Sequence, residues 1–453
     1  MLIITPEKLI IVCSWEGFLS MGVQGLVVPL IPVITGGVRC KYFPAEKLPS
    51  LLEKGYGFDG SSCDFCHVED SDLLAKLDPR TKVEIDGHAL FICDVYKAGE
   101  RFDLDTRFAL QRALAQVAEA GFGVVSGTEV EFYVLKSANS PEVMDLWRYM
   151  EPLYTHDVLS LISGLATMVH DAVGIEFVHH EAGPGQFELT LERDTPVSLA
   201  DRITLAKWAI KYWVSKHGFT ATFMPKPFMD RPGNGMHLHL SLTKGGRNVM
   251  GPGGRRGDGK RILSEEGASF LAGILTHAKA LTALMSSTVN SYKRFMPHSE
   301  APTFVCWSIG NRSALVRIPE HDAARGDVRL EVRCPDPACN PYLALAGLLT
   351  AGLKGLEEGL ELPDPVEESV YGLREEELEA HGVEKLPSSL REAVELAKKD
   401  PVVREALGPR LAEQFFRLKE AEWRAYVKFL EETGEEGEGR VTSWELREYL
   451  VRA

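Results

Sequence analysis

The sequence has few of the features that mark specialised classes of protein. It contains no block of basic residues, and its formal net charge of −15 leaves no clustered Lys and Arg to bind nucleic acid phosphates. Its eight cysteines are spread over 453 residues, which argues against a disulfide framework and favours a reducing compartment. No basic segment precedes the first apolar run, so a signal peptide is not indicated. We therefore expect a cytoplasmic protein without nucleic acid or membrane partners.

One segment lacks charge altogether. Residues 17–38, GFLSMGVQGLVVPLIPVITGGV, contain no charged side chain and approach the length of a membrane span. Pro29, Pro32 and several glycines weaken this segment as a helix. We therefore predict buried strands joined by turns at this position.

The motif SCDFCH at residues 62–67 raises a separate possibility. Cys63, Cys66 and His67 form the C-x-x-C-H pattern that attaches a c-type haem. Haem attachment takes place outside the cytoplasm, whereas the chain shows no export signal, and the motif lies between a glycine-bearing turn and an acidic stretch. We interpret it as a polar loop and not as part of a cytochrome; a labile thiol pair and chance spacing both stay open.

Apolar periodicity divides the chain into two domains. Residues 1–106 alternate short apolar runs with turns, which predicts a small strand-rich domain. A helical period begins at DTRFALQRALAQVAEAGF, with Asp105 or Thr106 as the N-cap and Gly121 as the stop. The second domain, residues 107–453, alternates strand-like segments with helices, so we predict an α+β fold.

The end of the second domain is acidic and helical. Two capping-box spacings, Ser389-x-x-Glu392 and Thr442-x-x-Glu445, predict helix starts there.

Acidic side chains occur in pairs on the strand-like segments. Glu129 and Glu131 in GTEVEFYVL lie two residues apart, so both point to the same side of a strand. Glu181 and Glu188 flank a Gly-Pro-Gly turn in HHEAGPGQFELTL. Neighbouring carboxylates stay ionised in a partly buried site only beside a cation. One such pair alone is also typical of a solvated strand face.

Histidines and a further glutamate extend this pattern. His237 and His239 lie two apart in GMHLHLSL, and Glu331 lies between Arg329 and Arg333 in RLEVR. Alone, these would also suit core histidines and a surface charge ladder. Together with the four glutamates, they predict an oxygen-rich site with imidazole, which suits Mg²⁺ or Mn²⁺ better than Zn²⁺.

Arginines are the third component of the pattern. Arg294, Arg312 and Arg317 lie between apolar residues and prolines in NSYKRFMP and NRSALVRIP. Guanidinium groups in such settings clamp phosphates and carboxylates. Metal ions combined with arginines are the equipment of phosphoryl transfer.

With these motifs assembled, the chain resembles glutamine synthetases of the bacterial and archaeal type. The resemblance runs from about Val38 to VTSWELREYL and includes FDGSS, EVEF, HHEAGPGQFE, GMHLHLSL, NSYKRFMP, NRSALVRIP and RLEVRCPDPACNPYLALAGLLTAGL. It implies a small N-terminal β-grasp-like domain, followed by a large catalytic domain with a curved antiparallel sheet and flanking helices. It also implies a homo-oligomer of stacked hexameric rings, such as a dodecamer, with active sites between subunits.

The resemblance implies a role for each matching residue. One metal site would consist of Glu131, Glu181 and Glu188, and the other of Glu129, His237 and Glu331. The residues implied to bind ATP are Glu176, His239, Ser241, Arg317 and Arg329. Those implied to hold glutamate are Gly233, Arg294 and Arg333, whereas Arg312 would face the phosphate. Asp59 of a neighbouring subunit and Glu300 on a closing flap would attract ammonium and take its proton.

The implied activity is ATP-dependent ligation of ammonia to the γ-carboxylate of glutamate through γ-glutamyl phosphate. Two departures suggest a glutamate–amine ligase as the alternative: Pro232 occupies the place of a family asparagine, and the flap reads HSEAP where GYEAP is usual. FDGSS with Asp59 favours ammonia. A non-catalytic binding protein of the same fold is a second alternative. Tyr371 lies at the position where some family members are adenylylated, and whether this protein is regulated there stays open.

Overall fold

The computed structural model describes residues 2–5, 8–11, 25–251, 262–296, 301–325, 327–373, 377–378 and 382–453. The chain forms two compact units. The first comprises Met1–Pro32 and Val38–Phe102, and the second comprises Val33–Gly37 and Asp103–Ala453. The predicted domain boundary at residues 106 and 107 lies just beyond this division.

The first unit is built mainly from strands. Its elements are β1 (Leu2–Thr5), β2 (Lys8–Ile11), β3 (Leu26–Pro32), β4 (Val38–Cys40), β5 (Phe43–Pro44), helix α1 (Leu48–Lys54), β6 (Tyr56–Asp59), β7 (Asp72–Leu77), β8 (Val83–Ile85), β9 (His88–Lys97) and β10 (Glu100–Arg101). The main sheet has the order β4-β3-β9-β7-β6, with β3 and β9 parallel. Strand β3 comes from the uncharged run, and six of its seven residues are buried. The predicted buried strand is therefore confirmed for this stretch, whereas residues 17–24 lie outside the described part of the chain.

The second unit contains the larger sheet. The strands of this unit are β11 (Gly123–Ser137), β12 (Ser140–Val143), β13 (Ile175–His180), β14 (Gln186–Asp194), β15 (Thr220–Thr222), β16 (Met236–Lys244), β17 (Arg247–Asn248), β18 (Phe304–Val305), β19 (Trp307–Ile309), β20 (Val316–Ile318), β21 (Leu330–Val332) and β22 (Glu384–Lys385). The order β13-β14-β11-β16-β21-β20-β19 is antiparallel except for the β19–β20 pair. Register shifts in β11 and β13 mark bulges, which curl a sheet. The predicted α+β fold with a curved sheet is confirmed.

The second unit also contains helices, some of which pack against this sheet and others against one another. They are α2 (Thr106–Glu119), α3 (His156–Val173), α4 (Pro196–Lys216), α5 (Glu265–Met285), α6 (Glu320–Arg325), α7 (Pro341–Glu358), α8 (Leu390–Lys399), α9 (Pro401–Leu407), α10 (Pro409–Thr433) and α11 (Ser443–Tyr449). Helix α2 begins at the predicted N-cap, where the Asp105 carboxylate accepts a hydrogen bond from the Arg107 backbone.

Glycines allow two apolar helices, α5 and α7, to pack closely. A Cβ on Gly273 would lie 2.1 Å from the Ala351 carbonyl oxygen, and one on Gly355 would lie 2.0 Å from that of Ser269. Any side chain at these positions would force α5 and α7 apart. Within the described residues, α5 is the helix long and apolar enough to cross a bilayer, yet 72% of its apolar window is buried inside the protein, as is usual for a core helix.

Candidate active site

Strand register assembles the predicted ligands into one row. Val130 and Phe132 face the core, so Glu129 and Glu131 project from the opposite side of β11. The cross-strand partners along the row are Glu131 with Glu188, Glu129 with His237, His239 with Glu331, and Glu331 with Arg317. Directly opposed residues have neighbouring side chains, so four antiparallel pairings bring together groups that are distant in sequence. Glu181 differs slightly from the prediction, because it lies one residue beyond the end of β13.

One end of the row, which we call the arginine–histidine end, consists of Glu129, His237 and Glu331. Nδ1 of His237 lies 2.8 Å from Oε2 of Glu129, and Nε2 of His239 lies 3.2 Å from Oε1. Burial disfavours the charged form of Glu129, but these two imidazole hydrogen bonds prevail and hold its pKa below the ordinary value.

Glu331 is almost fully buried at the same end. Its carboxylate accepts hydrogen bonds from the guanidinium groups of Arg317 and Arg333. Burial alone would raise the pKa of Glu331, yet the charge of Arg333 and the nearby histidines lower it to about 2. The carboxylates at this end of the row are therefore ionised at neutral pH, and the arginine and histidine side chains beside them already stabilise their negative charge.

The other end, which we call the carboxylate end, consists of Glu131, Glu181 and Glu188. Oε2 of Glu131 accepts hydrogen bonds from the Gly235 backbone at 2.8 Å and from Gln186 at 3.2 Å. Burial, followed by the charge of Glu181, nevertheless raises the pKa of Glu131 to about 7. Burial and the carboxylates of Glu129 and Glu131 raise the pKa of Glu188 to about 10.

The donor set fits divalent cations. Two groups of side chains each offer ligand atoms within 4.8 Å of one another: Glu129, Glu188 and His237, and His179, Glu181 and Glu188. Raised carboxyl pKa values at the carboxylate end show that positive charge is in deficit there. Carboxylates with imidazole suit Mg²⁺ or Mn²⁺. Glu188 belongs to both groups, and His179 is a ligand candidate that the sequence reasoning missed.

Guanidinium groups lie across the same cavity. Its volume is about 490 Å³, and Arg294, Arg312 and Arg333 line it together with Gly233 and the carboxylates. Arg333 is held by Glu331 and by a hydrogen bond from its Nε to the Arg312 carbonyl at 3.0 Å. Arg294 is held by the Cys334 carbonyl at 3.0 Å. Buried and fixed arginines of this kind are suited to bind anionic groups.

Gly233 allows the chain to pass close to Arg294. A Cβ at this position would lie 2.7 Å from the Pro225 carbonyl oxygen and 2.8 Å from Cγ of Arg294. The preceding residue, Pro232, also lines the cavity, and its carbonyl accepts a hydrogen bond from the Tyr133 hydroxyl at 2.9 Å. The proline that departs from the family pattern therefore lies at the predicted glutamate site.

A second pocket of about 250 Å³ adjoins the first. Glu129 and Phe177 line both pockets. Four of the five residues predicted to bind ATP line the second pocket: Glu176, His239, Ser241 and Arg329. Arg329 forms an ion pair with Asp322 at 3.1 Å. The fifth, Arg317, is engaged by Glu331 and by the Gly310 carbonyl.

Of the two residues predicted to bind ammonium and take its proton, the structure describes Asp59 but not Glu300. Asp59 belongs to the first unit and ends β6; its carboxylate accepts hydrogen bonds from the Ser61 backbone and hydroxyl at 2.9 and 2.7 Å and from the Ser62 hydroxyl at 2.5 Å. These bonds lower the pKa of Asp59. Glu300 lies outside the described residues, although its neighbour Ala301 lines the larger cavity.

The cysteine motif belongs to the first unit. Cys63 is buried in a short 3₁₀ turn, and burial raises the pKa of its thiol. Tyr371 is partly buried, and its hydroxyl donates a hydrogen bond to the Ala301 carbonyl at 2.8 Å.

An acid-rich row with guanidinium groups and two adjoining pockets is typical of metal-dependent phosphoryl-transfer enzymes. Comparison with known proteins identifies the family of this chain. Residues 103–449 match the family described as "Glutamine synthetase, catalytic domain". The chain is 41% identical over 426 residues to a glutamine synthetase of Pyrococcus abyssi, covering 92% of this chain and 94% of the relative. It is 41% identical over 412 residues to one of Thermotoga maritima, covering 88% and 90% of the two chains.

Solved structures give a consistent result. GmaS in complex with ADP has a TM-score of 0.81 and 30% sequence identity, covering 96% of this chain and 98% of that one. The chain belongs to the glutamine synthetase family. Family membership implies use of ATP and a divalent metal, small-molecule substrates and oligomerisation in general. Glutamine synthesis by a glutamate–ammonia ligase is the activity that the relatives support, and neither the larger-amine ligase nor the non-catalytic protein is favoured.

Proposed function

We propose that the protein joins ammonia to the γ-carboxylate of L-glutamate in two steps, with γ-glutamyl phosphate between them. The observation that carries this proposal is the adjacency of the two pockets. Four carboxylates of the row, those of Glu129, Glu131, Glu181 and Glu188, line the larger pocket. Glu129 and Phe177 line both pockets. A phosphoryl donor in the smaller pocket can therefore reach an acceptor in the larger one.

In the first step, the γ-carboxylate of glutamate attacks the γ-phosphate of ATP, the bond between the β- and γ-phosphates breaks, and ADP leaves as γ-glutamyl phosphate forms. Arg294, Arg333 and the backbone at Gly233 would hold the glutamate, while Glu176, His239, Ser241, Arg317 and Arg329 would hold the nucleotide. Arg312 would face the phosphoryl group and offset its charge. Bound Mg²⁺ or Mn²⁺ at Glu131, Glu181 and Glu188, and at Glu129, His237 and Glu331, would neutralise further phosphate charge.

In the second step, ammonia displaces phosphate from the activated carboxylate. Ammonium cannot attack until it loses a proton, and Asp59 and Glu300 would attract the cation and accept that proton. The hydrogen bonds of Ser61 and Ser62 keep Asp59 ionised, which suits it to attract the ammonium cation. Glu300 on the flap would also close the site, because the acyl phosphate is destroyed by water.

An amine panel tests the substrate assignment. Phosphate release is measured with glutamate and ATP in the presence of ammonium, putrescine or ethanolamine, each offered separately. Ammonium should give the largest kcat/KM, and a preference for either larger amine would overturn the assignment. Glu300→Ala should bind ATP nearly normally and lose amide formation; unchanged turnover would remove Glu300 from the mechanism.

The proposal also includes an oligomer whose active sites are shared between subunits. We place Asp59 in the site of a neighbouring subunit, within stacked hexameric rings in the cytoplasm. Asp59→Ala and Glu188→Gln should each be inactive alone. Because they would damage opposite sides of a shared site, oligomers reassembled from a mixture of the two should regain part of the activity. Mixed oligomers as inactive as the parents would place both residues in one subunit's site.

A further inference from the structure

A buried glutamine between the metal ligands and the glutamate loop has no role in the proposed reaction. Gln186 is the first residue of β14 and is 1% exposed. It lies two residues before Glu188, so both side chains leave the strand on the side of the cavity, which Gln186 also lines.

The side-chain amide of Gln186 contacts both sides of the site. Its Oε1 accepts a hydrogen bond from the Gly183 backbone at 3.0 Å, which closes the turn after Glu181. Its Nε2 lies 3.2 Å from Oε2 of Glu131, 3.0 Å from the Gly233 carbonyl and 3.0 Å from Oδ1 of Asn234. The amide orientation is fixed, because the Gly183 N–H can only donate and the Gly233 carbonyl can only accept.

Three acceptors share the two N–H groups of this amide. One acceptor is the carboxylate of Glu131, and the other two belong to the loop that carries Gly233. A cation bound to the Glu131 carboxylate would withdraw negative charge from Oε2 and so weaken its hydrogen bond from Nε2 of Gln186. Both N–H groups of the amide could then donate to the Gly233 carbonyl and to Oδ1 of Asn234. Any such exchange must act in both directions, since coupling between two binding sites is reciprocal.

We propose that Gln186 is a positioning residue that couples metal binding at Glu131 to glutamate binding at the Gly233 loop. This inference rests on the proposed roles of Glu131 and Gly233. It predicts that glutamate binds more tightly once the metal site is filled, and that this linkage depends on the Gln186 amide.

Gln186→Met tests the inference, because methionine has a similar length but cannot form these hydrogen bonds. Affinity for Mn²⁺ is measured from the spin-resonance signal of free Mn²⁺, without turnover. Affinity for glutamate is measured calorimetrically with ADP present, with and without Mn²⁺. We expect glutamate affinity in the presence of Mn²⁺ to fall about tenfold, as is typical for the loss of a hydrogen bond, and the gain in glutamate affinity on adding Mn²⁺ to be lost.

Two comparison variants separate coupling from general damage. Tyr133→Phe removes the hydroxyl that holds the Pro232 carbonyl of the same loop, so it should weaken glutamate binding but preserve Mn²⁺ affinity and the linkage. Gln414→Met replaces another poorly exposed glutamine, on α10, and should change neither ligand affinity. Should Gln186→Met not fold, Gln186→Glu keeps the acceptor for Gly183 and loses the donors, with the same expected loss of linkage.

An unchanged linkage in the Gln186 variants would overturn the inference, even if both affinities fell. A change limited to thermal stability would do the same. Glu131→Gln separates this result from failure of the site itself: if it binds Mn²⁺ as tightly as the unaltered protein, the proposed metal site is wrong and the inference falls with it.

Discussion

The two ends of the carboxylate row lie on neighbouring strands of one sheet but differ in how the charge of their buried carboxylates is compensated. At the arginine–histidine end, Glu331 is held by Arg317 and Arg333, and Glu129 by two imidazoles. The pKa values of both carboxyl groups are lowered, so this end is ionised whether or not a ligand is present. At the carboxylate end, burial and mutual repulsion raise the pKa values of Glu131 and Glu188.

This difference indicates that the charge state of the carboxylate end depends on a bound metal, whereas that of the arginine–histidine end does not. One end is organised by groups of the protein, as a preorganised binding site requires. The other end stores unfavourable electrostatic energy that a divalent cation would release on binding. Substitutions at the two ends should therefore have opposite effects on the stability of the metal-free protein.

The largest effect is expected for Glu188→Gln. Glu188 belongs to both candidate ligand groups, so its loss should lower Mg²⁺ affinity and kcat at least about a hundredfold, the upper range found for outer partners of metal ligands. The metal-free protein should be at least as stable as the unaltered one, because a buried carboxyl group that must take up a proton on folding has been removed. Steady-state kinetics and chemical denaturation in chelator measure the two effects.

Glu395→Gln is the matched control for this change. Glu395 is exposed on α8 and pairs with Arg391 at 2.8 Å, so its loss should leave kcat unchanged. A Glu188→Gln enzyme with normal metal dependence would show that the carboxylate end is not a metal site.

The next effect is at the opposite end. Glu331→Gln leaves the buried guanidinium group of Arg333 and the partly buried one of Arg317 without their shared carboxylate. We expect the free energy of unfolding to fall by roughly 3–5 kcal/mol, as is typical when one partner of a buried ion pair is removed. Denaturant titration of the metal-free protein measures this loss. Equal changes in Glu331→Gln and Glu188→Gln would abolish the distinction between the two ends.

Spacing along the strands made much of this row predictable. The two-residue period placed Glu129 with Glu131 and His237 with His239, and the structure puts each pair on one face. The same rule applied to HHE and to QFE would have selected His179 with Glu181 and Gln186 with Glu188. The sequence reasoning passed over them because a neutral amide and one histidine of a doublet carry no charge pattern of their own.

Local signals also located several helix ends. The reciprocal capping box predicted at Thr442 and Glu445 is present. At Ser389 the hydroxyl caps Glu392 as predicted, but the Glu392 carboxylate accepts its hydrogen bonds from Ser388.

Long-range partners gave no such signal. Arg107 pairs with Asp201 at 2.8 Å, and the same carboxylate accepts a hydrogen bond from Tyr342 at 2.8 Å. These residues lie on α2, α4 and α7, and only tertiary folding brings them together. The order of the strands in the large sheet was hidden for the same reason, because antiparallel pairing between distant segments leaves no periodic trace.

A smaller effect should appear in the pH dependence of stability. In chelator, folded Glu131 and Glu188 hold protons above their ordinary pKa, so these groups make stability fall as pH rises from about 4.5 through 7 and onward to about 10. A bound cation removes this penalty. The difference in Tm between metal-saturated and chelated protein should therefore grow between about pH 6 and pH 9.

The difference is the proper measurement because three lysines titrate in the same range. Burial lowers the pKa values of Lys207 and Lys226 to about 8 and that of Lys211 to about 7, which makes stability rise with pH in both samples. A difference in Tm that stays constant across this range would contradict the raised carboxyl pKa values.

The smallest effect is expected for His239→Asn, which tests where the arginine–histidine end meets the nucleotide pocket. His239 contacts Glu129 at 3.2 Å and lines the smaller pocket, while His237 holds the same carboxylate at 2.8 Å. Glu129 should therefore stay ionised and bind metal normally, whereas ADP binding should weaken about tenfold, the effect of losing one hydrogen bond. Calorimetry with ADP and Mg²⁺ measures this change. Loss of Mg²⁺ affinity comparable to that of Glu188→Gln would mean that His239 supports the metal, so that the arginine–histidine end would depend on both imidazoles and not on His237 alone.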